Sequence, residues 1–96
     1  MSYSLTFKEA AFKEWKKLAP PIQQQFKKKL AERLENPHIP GAKLSGIQDC
    51  YKIKLHTLGY RLVYRVHDDR VVVQVVAVGR RDKLEVYKKA LQRVTE

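Results

Sequence analysis

Four cations recur in the stretch CYKIKLHTLGYRLVYRV, residues 50–66: Lys52, Lys54, Arg61 and Arg65. Apolar residues alternate with them, so a hairpin closed at TLG gathers Tyr51, Ile53 and Leu55 on one face with Tyr60, Leu62, Tyr64 and Val66. The opposite face then carries Lys52, Lys54 and His56 beside Arg61, Val63 and Arg65. Such a patch suits anions, phosphate above all, held by charge-assisted hydrogen bonds. Like charges directly opposite in a sheet are destabilising, which argues that the arrangement is used. Lysine on an exposed strand also blocks edge-to-edge pairing with no ligand at all, so the pattern by itself leaves both readings open.

A second group lies in GRRDKLEVY, residues 79–87. Arg80 and Arg81 stand where the chain leaves a strand, and the Arg81 guanidinium suits bidentate capture of phosphate. Tyr87 follows about two turns into a helix, where the pattern alone reads first as a core aromatic on a stripe with Leu84, Leu91 and Val94 and only then as a functional side chain. His67, Asp68 and Asp69 share a distant turn and Asp49 precedes a strand, so no metal-ligand spacing is present. The expectation is a site without metal or cofactor. His56, at the hairpin end, reads as a surface residue before it reads as a base.

The elements that must position these residues follow from periodicity. SYSLTF alternates as a short strand, with Tyr3, Leu5 and Phe7 on one side. From Lys8 the period lengthens, and Ala11, Phe12, Trp15 and Leu18 predict a helix to about residue 18. APP stops it; Pro21 opens a second helix striped by Ile22, Phe26, Leu30 and Leu34 until ENP. NPHIPGAKLSGIQDC has no period and reads as a long connecting loop. Strands are predicted over 50–56, 60–67 and 70–78, an antiparallel meander. The last, VVVQVVAV, is apolar on both faces and should be the most buried, covered on one side by the helical hairpin. RDKLEVYKKALQRV predicts a final helix, capped by Asp82, whose stripe is Leu84, Tyr87 or Lys88, Leu91 and Val94. The fold class is α+β, in the order strand, helix, helix, three strands, helix.

Composition sets the frame. A chain of 96 residues suits one domain, 1–96, with one modest core. Twenty Lys and Arg against ten Asp and Glu give +10, while 44% apolar content permits folding, so the charge calls for a polyanionic partner, nucleic acid first. No long basic amphipathic helix points to a membrane surface, and no apolar run nears the roughly 20 residues that span a bilayer. One cysteine, Cys50, excludes an internal disulfide, and the start MSYSLTFKEAAF lacks a secretory layout. A reducing cytoplasm is expected.

The hairpin, VVVQVVAVGRRDKLEVY, the EWKKL of the first helix and the KLSG before the hairpin together resemble the RelE toxin family of bacterial toxin–antitoxin pairs, over essentially the whole chain. The resemblance implies a microbial-ribonuclease-like fold and cleavage of mRNA in the ribosomal A site. It also implies functional residues at Lys52, Lys54, Arg61, Arg81 and Tyr87, and a RelB-like antitoxin as partner, with DNA bound only through the antitoxin complex. The family branch that cuts RNA with a Glu and His pair finds no match here, and the retained cations and tyrosine speak against a gyrase-poisoning relative.

Metal-free RNA cleavage uses the ribose 2′-hydroxyl as nucleophile, and needs a base, stabilisation of the phosphorane and help for the leaving oxygen. Lys54 is the expected base with Lys52 as phosphate ligand, an order the sequence leaves open. A free lysine titrates near about 10.4, so a lysine base needs cationic neighbours that disfavour its charged form. Arg61 and Arg81 would neutralise phosphate oxygens, and Tyr87 would stack on a base or orient the phosphate. The ribosome would hold the substrate in line, gripped through Lys13, Lys16, Lys17, Lys27, Lys28, Arg65 and Arg80 by salt-sensitive contacts. A non-catalytic RNA- or ribosome-binding module is the competing reading.

Overall fold

The computed structural model describes residues 2–80 and 85–95. Arg81, the Asp82 cap and Leu84 lie outside the described residues. The order is β1 (Ser4–Phe7), α1 (Glu9–Lys16), α2 (Pro20–Glu35), a short 3-10 turn (Pro40–Ala42), β2 (Cys50–Leu55), β3 (Tyr60–His67), β4 (Val72–Arg80) and α3 (Glu85–Thr95). It matches the predicted α+β order. The loop expected to be structureless carries the 3-10 turn and an isolated bridge between Lys43 and Tyr51. β4 starts at Val72, two residues after the predicted strand start and one into its apolar run, because Val71 sits in the turn at φ 54°, a left-handed conformation a β-branched residue rarely adopts.

The four strands form one sheet in the order β1-β4-β3-β2. β2, β3 and β4 are the expected antiparallel meander, whereas β1 pairs parallel to β4, Leu5 opposite Val73. Both helices of the N-terminal hairpin cover one face. There Trp15, Phe26 and Leu30 pack on Tyr51, Ile53, Leu62, Tyr64, Val73 and Val75.

The other face corrects the sequence reading. Val63, assigned outward with Arg61 and Arg65, is fully buried, because α3 lies across that face. The contact is made by a bulge: Val63 pairs with Ala77 but Tyr64 with Val75, so Val76 is an extra residue. Val76 and Ala77 thereby both face α3, meeting Val86 and Ala90. The stripe of α3 is accordingly rotated from the predicted one. Val86 and Ala90 are buried, Tyr87 and Val94 half-buried, and Leu91 stays 46% exposed. The small Ala90 permits close approach, and a Cβ built on Gly79 would meet Val86 Cγ2 at 3.2 Å, so the start of α3 presses on the sheet where only glycine fits comfortably.

A polar pair finishes the sheet where β1 stops. β1 ends at Phe7, opposite Val75, leaving later β4 backbone groups without a strand on that side. Glu14 of α1 accepts the Val78 N–H at 3.2 Å, and Arg93 of α3 donates to the Val76 carbonyl at 2.8 Å. The two side chains also pair with each other, Arg93 Nη1 and Nη2 lying 2.9 and 3.0 Å from the Glu14 carboxylate, with Lys89 at 3.1 Å. Side chains thus do the work of the missing strand and tie α3 to α1.

Candidate nucleic-acid interface and active site

Strand alternation and the four-residue turn after Leu55 set the register of the β2–β3 hairpin, and it places Lys54 directly opposite Arg61 and Lys52 opposite Val63. All three cations fall on the face that α3 partly covers, since Cys50 and Val63, of the same parity, pack against that helix. Arg61 Nη1 donates to the Tyr60 carbonyl at 3.2 Å, which holds its head near the strand end. Arg61 is also opposite Gly79, the residue beneath Val86, so the first turn of α3 lies over this end of the sheet. Tyr87 follows Val86 and packs half-buried against the same cluster. Lys52, Lys54, Arg61 and Tyr87 are therefore on one face, and Tyr87 is partly packed in the core and partly open to solvent.

The remaining predicted residues disperse. Arg65 shares the face but pairs with Cys50, beyond the buried Val63, and its Nε is buried with no hydrogen-bond partner. Arg80 pairs with Tyr60 and its guanidinium stands 5.9 Å over the Tyr60 ring, on the face opposite Arg61. Lys13, Lys16 and Lys17 are exposed at the end of α1, and Lys27 and Lys28 are exposed on α2. Lys13 pairs with Glu9 at 3.8 Å, and the Lys16 ammonium lies 5.1 Å over the exposed Phe12 ring.

Two cations that sequence reasoning did not single out stand beside β2. Lys29 and Arg33, one turn apart on α2, join Lys52, Lys54 and His56 around a groove of about 300 Å³. No carboxylate is among its described lining residues. Arg33 is braced: its Nη1 donates to the Tyr64 hydroxyl at 2.9 Å and to the Lys52 carbonyl at 3.2 Å. The i, i+4 spacing next to the apolar Leu30 and Leu34 was the available signal.

A separate polar chain lies at the far end of the sheet. His38 bridges the Tyr51 hydroxyl at 2.8 Å and Asp68 at 2.9 Å, and Tyr3 donates to Asp68 at 2.7 Å. These bonds from His38 and Tyr3 lower the Asp68 carboxyl, and the same bond to Asp68 raises the Tyr3 phenol. Burial pushes the Cys50 thiol up to about 11. Among the described residues no three His, Cys, Asp or Glu side chains group as a metal site needs. No described helix is long and apolar enough to cross a membrane.

Comparison with known proteins adds a family. Residues 5–85 match the ParE toxin of type II toxin–antitoxin systems. The chain is 54% identical over 94 residues to the mRNA interferase toxin RelE of Escherichia coli K12, covering 98% of this chain and 99% of that one. Among solved structures it is similar to a doubly substituted variant of E. coli RelE in the free state, with a TM-score of 0.91, 53% identity and 98% and 99% of the two chains covered. It is also similar to a chain of the intact E. coli RelBE toxin–antitoxin complex, with a TM-score of 0.81, 56% identity and 82% and 96% covered.

Proposed function

We propose, because this chain belongs to the ParE toxin family of type II toxin–antitoxin systems and is a close relative of RelE, that it is a toxin acting as a ribosome-dependent endoribonuclease on mRNA in the A site. The observation that carries the reading is the Lys54–Arg61 cross-strand pair with Lys52 beside it, under the helix that bears Tyr87. That arrangement is costly to the fold and suited to a phosphate.

In this mechanism Lys54 takes the proton of the 2′-hydroxyl as it attacks the adjacent phosphorus; the bond from phosphorus to the 5′-oxygen breaks, a 2′,3′-cyclic phosphate forms, and the departing 5′-oxygen takes a proton from water. Lys52 and Arg61, with Arg81 from the chain segment after β4, bind the phosphoryl oxygens whose charge grows in the transition state. Arginine donates protons poorly, so Arg81 acts by charge stabilisation rather than as an acid. Tyr87 stacks on a base beside the cut or orients the phosphate. Because these groups cannot by themselves hold a flexible strand in line, the ribosome supplies the substrate geometry. The exposed lysines of α1 and α2, with Arg65 and Arg80, contribute salt-dependent contacts to ribosomal RNA. The whole chain acts as one toxin domain in the cytoplasm, silenced by a RelB-like antitoxin.

The test is to add the protein to bacterial ribosomes carrying mRNA and an empty A site, and to map ends by primer extension beside free mRNA and Arg81→Ala. Cuts confined to the A-site codon, absent on free mRNA and lost in the variant with little loss of ribosome binding, are expected. Intact mRNA with retained ribosome binding would reduce the site to a binding face, and trapped gyrase–DNA breaks would move the chain to a different branch.

A further inference from the structure

The groove beside β2 is continuous with the catalytic patch. Lys52 and Lys54 belong to both, since β2 is the last strand of the sheet and the groove runs along it toward α2. Part of that edge is already occupied: Leu44 N–H donates to the Cys50 carbonyl, and Arg33 takes the Lys52 carbonyl. Past Lys54 the groove opens into a second hollow of about 450 Å³ that shares Lys29, Lys54 and His56 with the first. Its other walls change character: Gln25 and Thr57 offer an amide and a hydroxyl, and Leu58 presents an apolar side chain, 45% exposed.

A cationic groove that leads into a hollow with one apolar wall and two hydrogen-bonding groups has the chemistry of a nucleotide. Arg33 is held in place by Tyr64 and the Lys52 carbonyl before any ligand arrives, so little side-chain entropy is lost on binding. Leu58 stands exposed, whereas an apolar side chain gains by covering its surface. We infer that this trough is a subsite for the nucleotide of the mRNA strand next to the scissile phosphate. Lys29, Arg33 and His56 hold its phosphate, and its base lies on Leu58 within reach of Gln25 and Thr57.

The subsite rests on the nuclease reading, because that reading puts RNA on Lys52 and Lys54. An uncleavable probe separates the two. A 2′-O-methyl dinucleotide, and the same dinucleotide extended by one nucleotide at either end, would be titrated into the labelled full chain and followed by amide NMR. Resonances of Lys52, Lys54 and Arg61 are expected to move with both lengths; those of Lys29, His56 and Leu58 should move only with one of the extended probes. Lys29→Ala should weaken that probe about five- to tenfold, leave the dinucleotide unchanged and flatten the salt dependence by about 0.7. Equal weakening of both probes would mean a general electrostatic field and overturn the subsite. So would stationary Lys29 and Leu58 resonances, or shifts reproduced in full by inorganic phosphate. Cleavage on programmed ribosomes is read separately: its failure with the NMR pattern intact would sink the nuclease reading and leave the trough a nucleotide site on an RNA-binding face, with no scissile phosphate beside it.

Discussion

Replacing Glu14 by Ala should cost far more than a surface charge normally does. The carboxylate side chain is only 18% exposed and receives Arg93 twice, Lys89 once and the Val78 N–H. Its removal leaves the Val78 amide and a guanidinium that is 15% exposed without their main acceptor. Hydrogen bonds to charged groups are worth about 1.5–3 kcal/mol each in net terms, but these share one carboxylate and are partly screened, so the expected loss is about 2–3 kcal/mol. For a chain of this length that lowers Tm by about 10–20 °C. Urea and thermal unfolding by circular dichroism measure it, and a double-mutant cycle with Arg93→Ala isolates the coupling. The pH dependence is signed. Burial alone would raise the Glu14 carboxyl, but the bonds from Arg93, Lys89 and Val78 outweigh it and hold it below its ordinary 4.5. A carboxyl lowered in the folded state stabilises above its unfolded value and loses that contribution as pH falls through the folded one. The gap between wild type and variant should therefore be full at pH 6 and shrink on acidification below 4.5. A loss under about 0.5 kcal/mol, the scale of the exposed Lys13–Glu9 pair, would refute the reasoning.

Other outcomes follow from the same structure. Lys54→Arg should keep ribosome binding but lower single-turnover mRNA cleavage by about 10²–10⁴-fold, because the charge is retained and the proposed base is lost. Arg61→Thr should abolish cleavage while raising unfolding free energy by about 0.2–1 kcal/mol, since it removes the like charge opposite Lys54. Gly79→Ala should lower cleavage by pushing Val86, and with it the first turn of α3, off the sheet; Gly79→Ala with Val86→Ala should recover part of the activity on the same assay.

The faces of the hairpin were legible because alternation leaves no freedom: with Tyr51, Ile53 and Leu55 inward, Lys52 and Lys54 must share a face with Arg61. The turn reads short in sequence, as TLG after a strand to residue 56, whereas β2 stops at Leu55 and His56 joins a four-residue turn that sets Lys54 directly opposite Arg61. The apolar run of β4 was different. With Val or Ala at almost every position it carries no parity, so neither the bulge at Val76 nor the helix docked on it could be read. Leu91 misled for a related reason. A large apolar side chain looks like the core, but the bulge and Gly79 select a helix face with a small residue, and Ala90 lies there. The parallel partner of β1 is also silent in sequence, since strand pairing between distant segments has no local signal. Lys29 and Arg33 looked like solvated helix positions, and only the path of α2 past the edge strand brings them to Lys52 and Lys54.

The pairing of β1 with β4 has a consequence for how the molecule comes into being. Ser4 meets Val72, and Glu14 meets Arg93 across 79 residues, so the contacts that close the sheet join the earliest and latest parts of the chain. Such closure must bear its loop entropy before long-range contacts repay it, which places the fold among slow, high-separation topologies. A chain still emerging from the ribosome has its two hairpins but not the central strand that unites them, nor the helix that carries Tyr87. The face that carries Lys52, Lys54, Arg61 and Tyr87 is thereby complete only in the finished polypeptide, however early its hairpin forms.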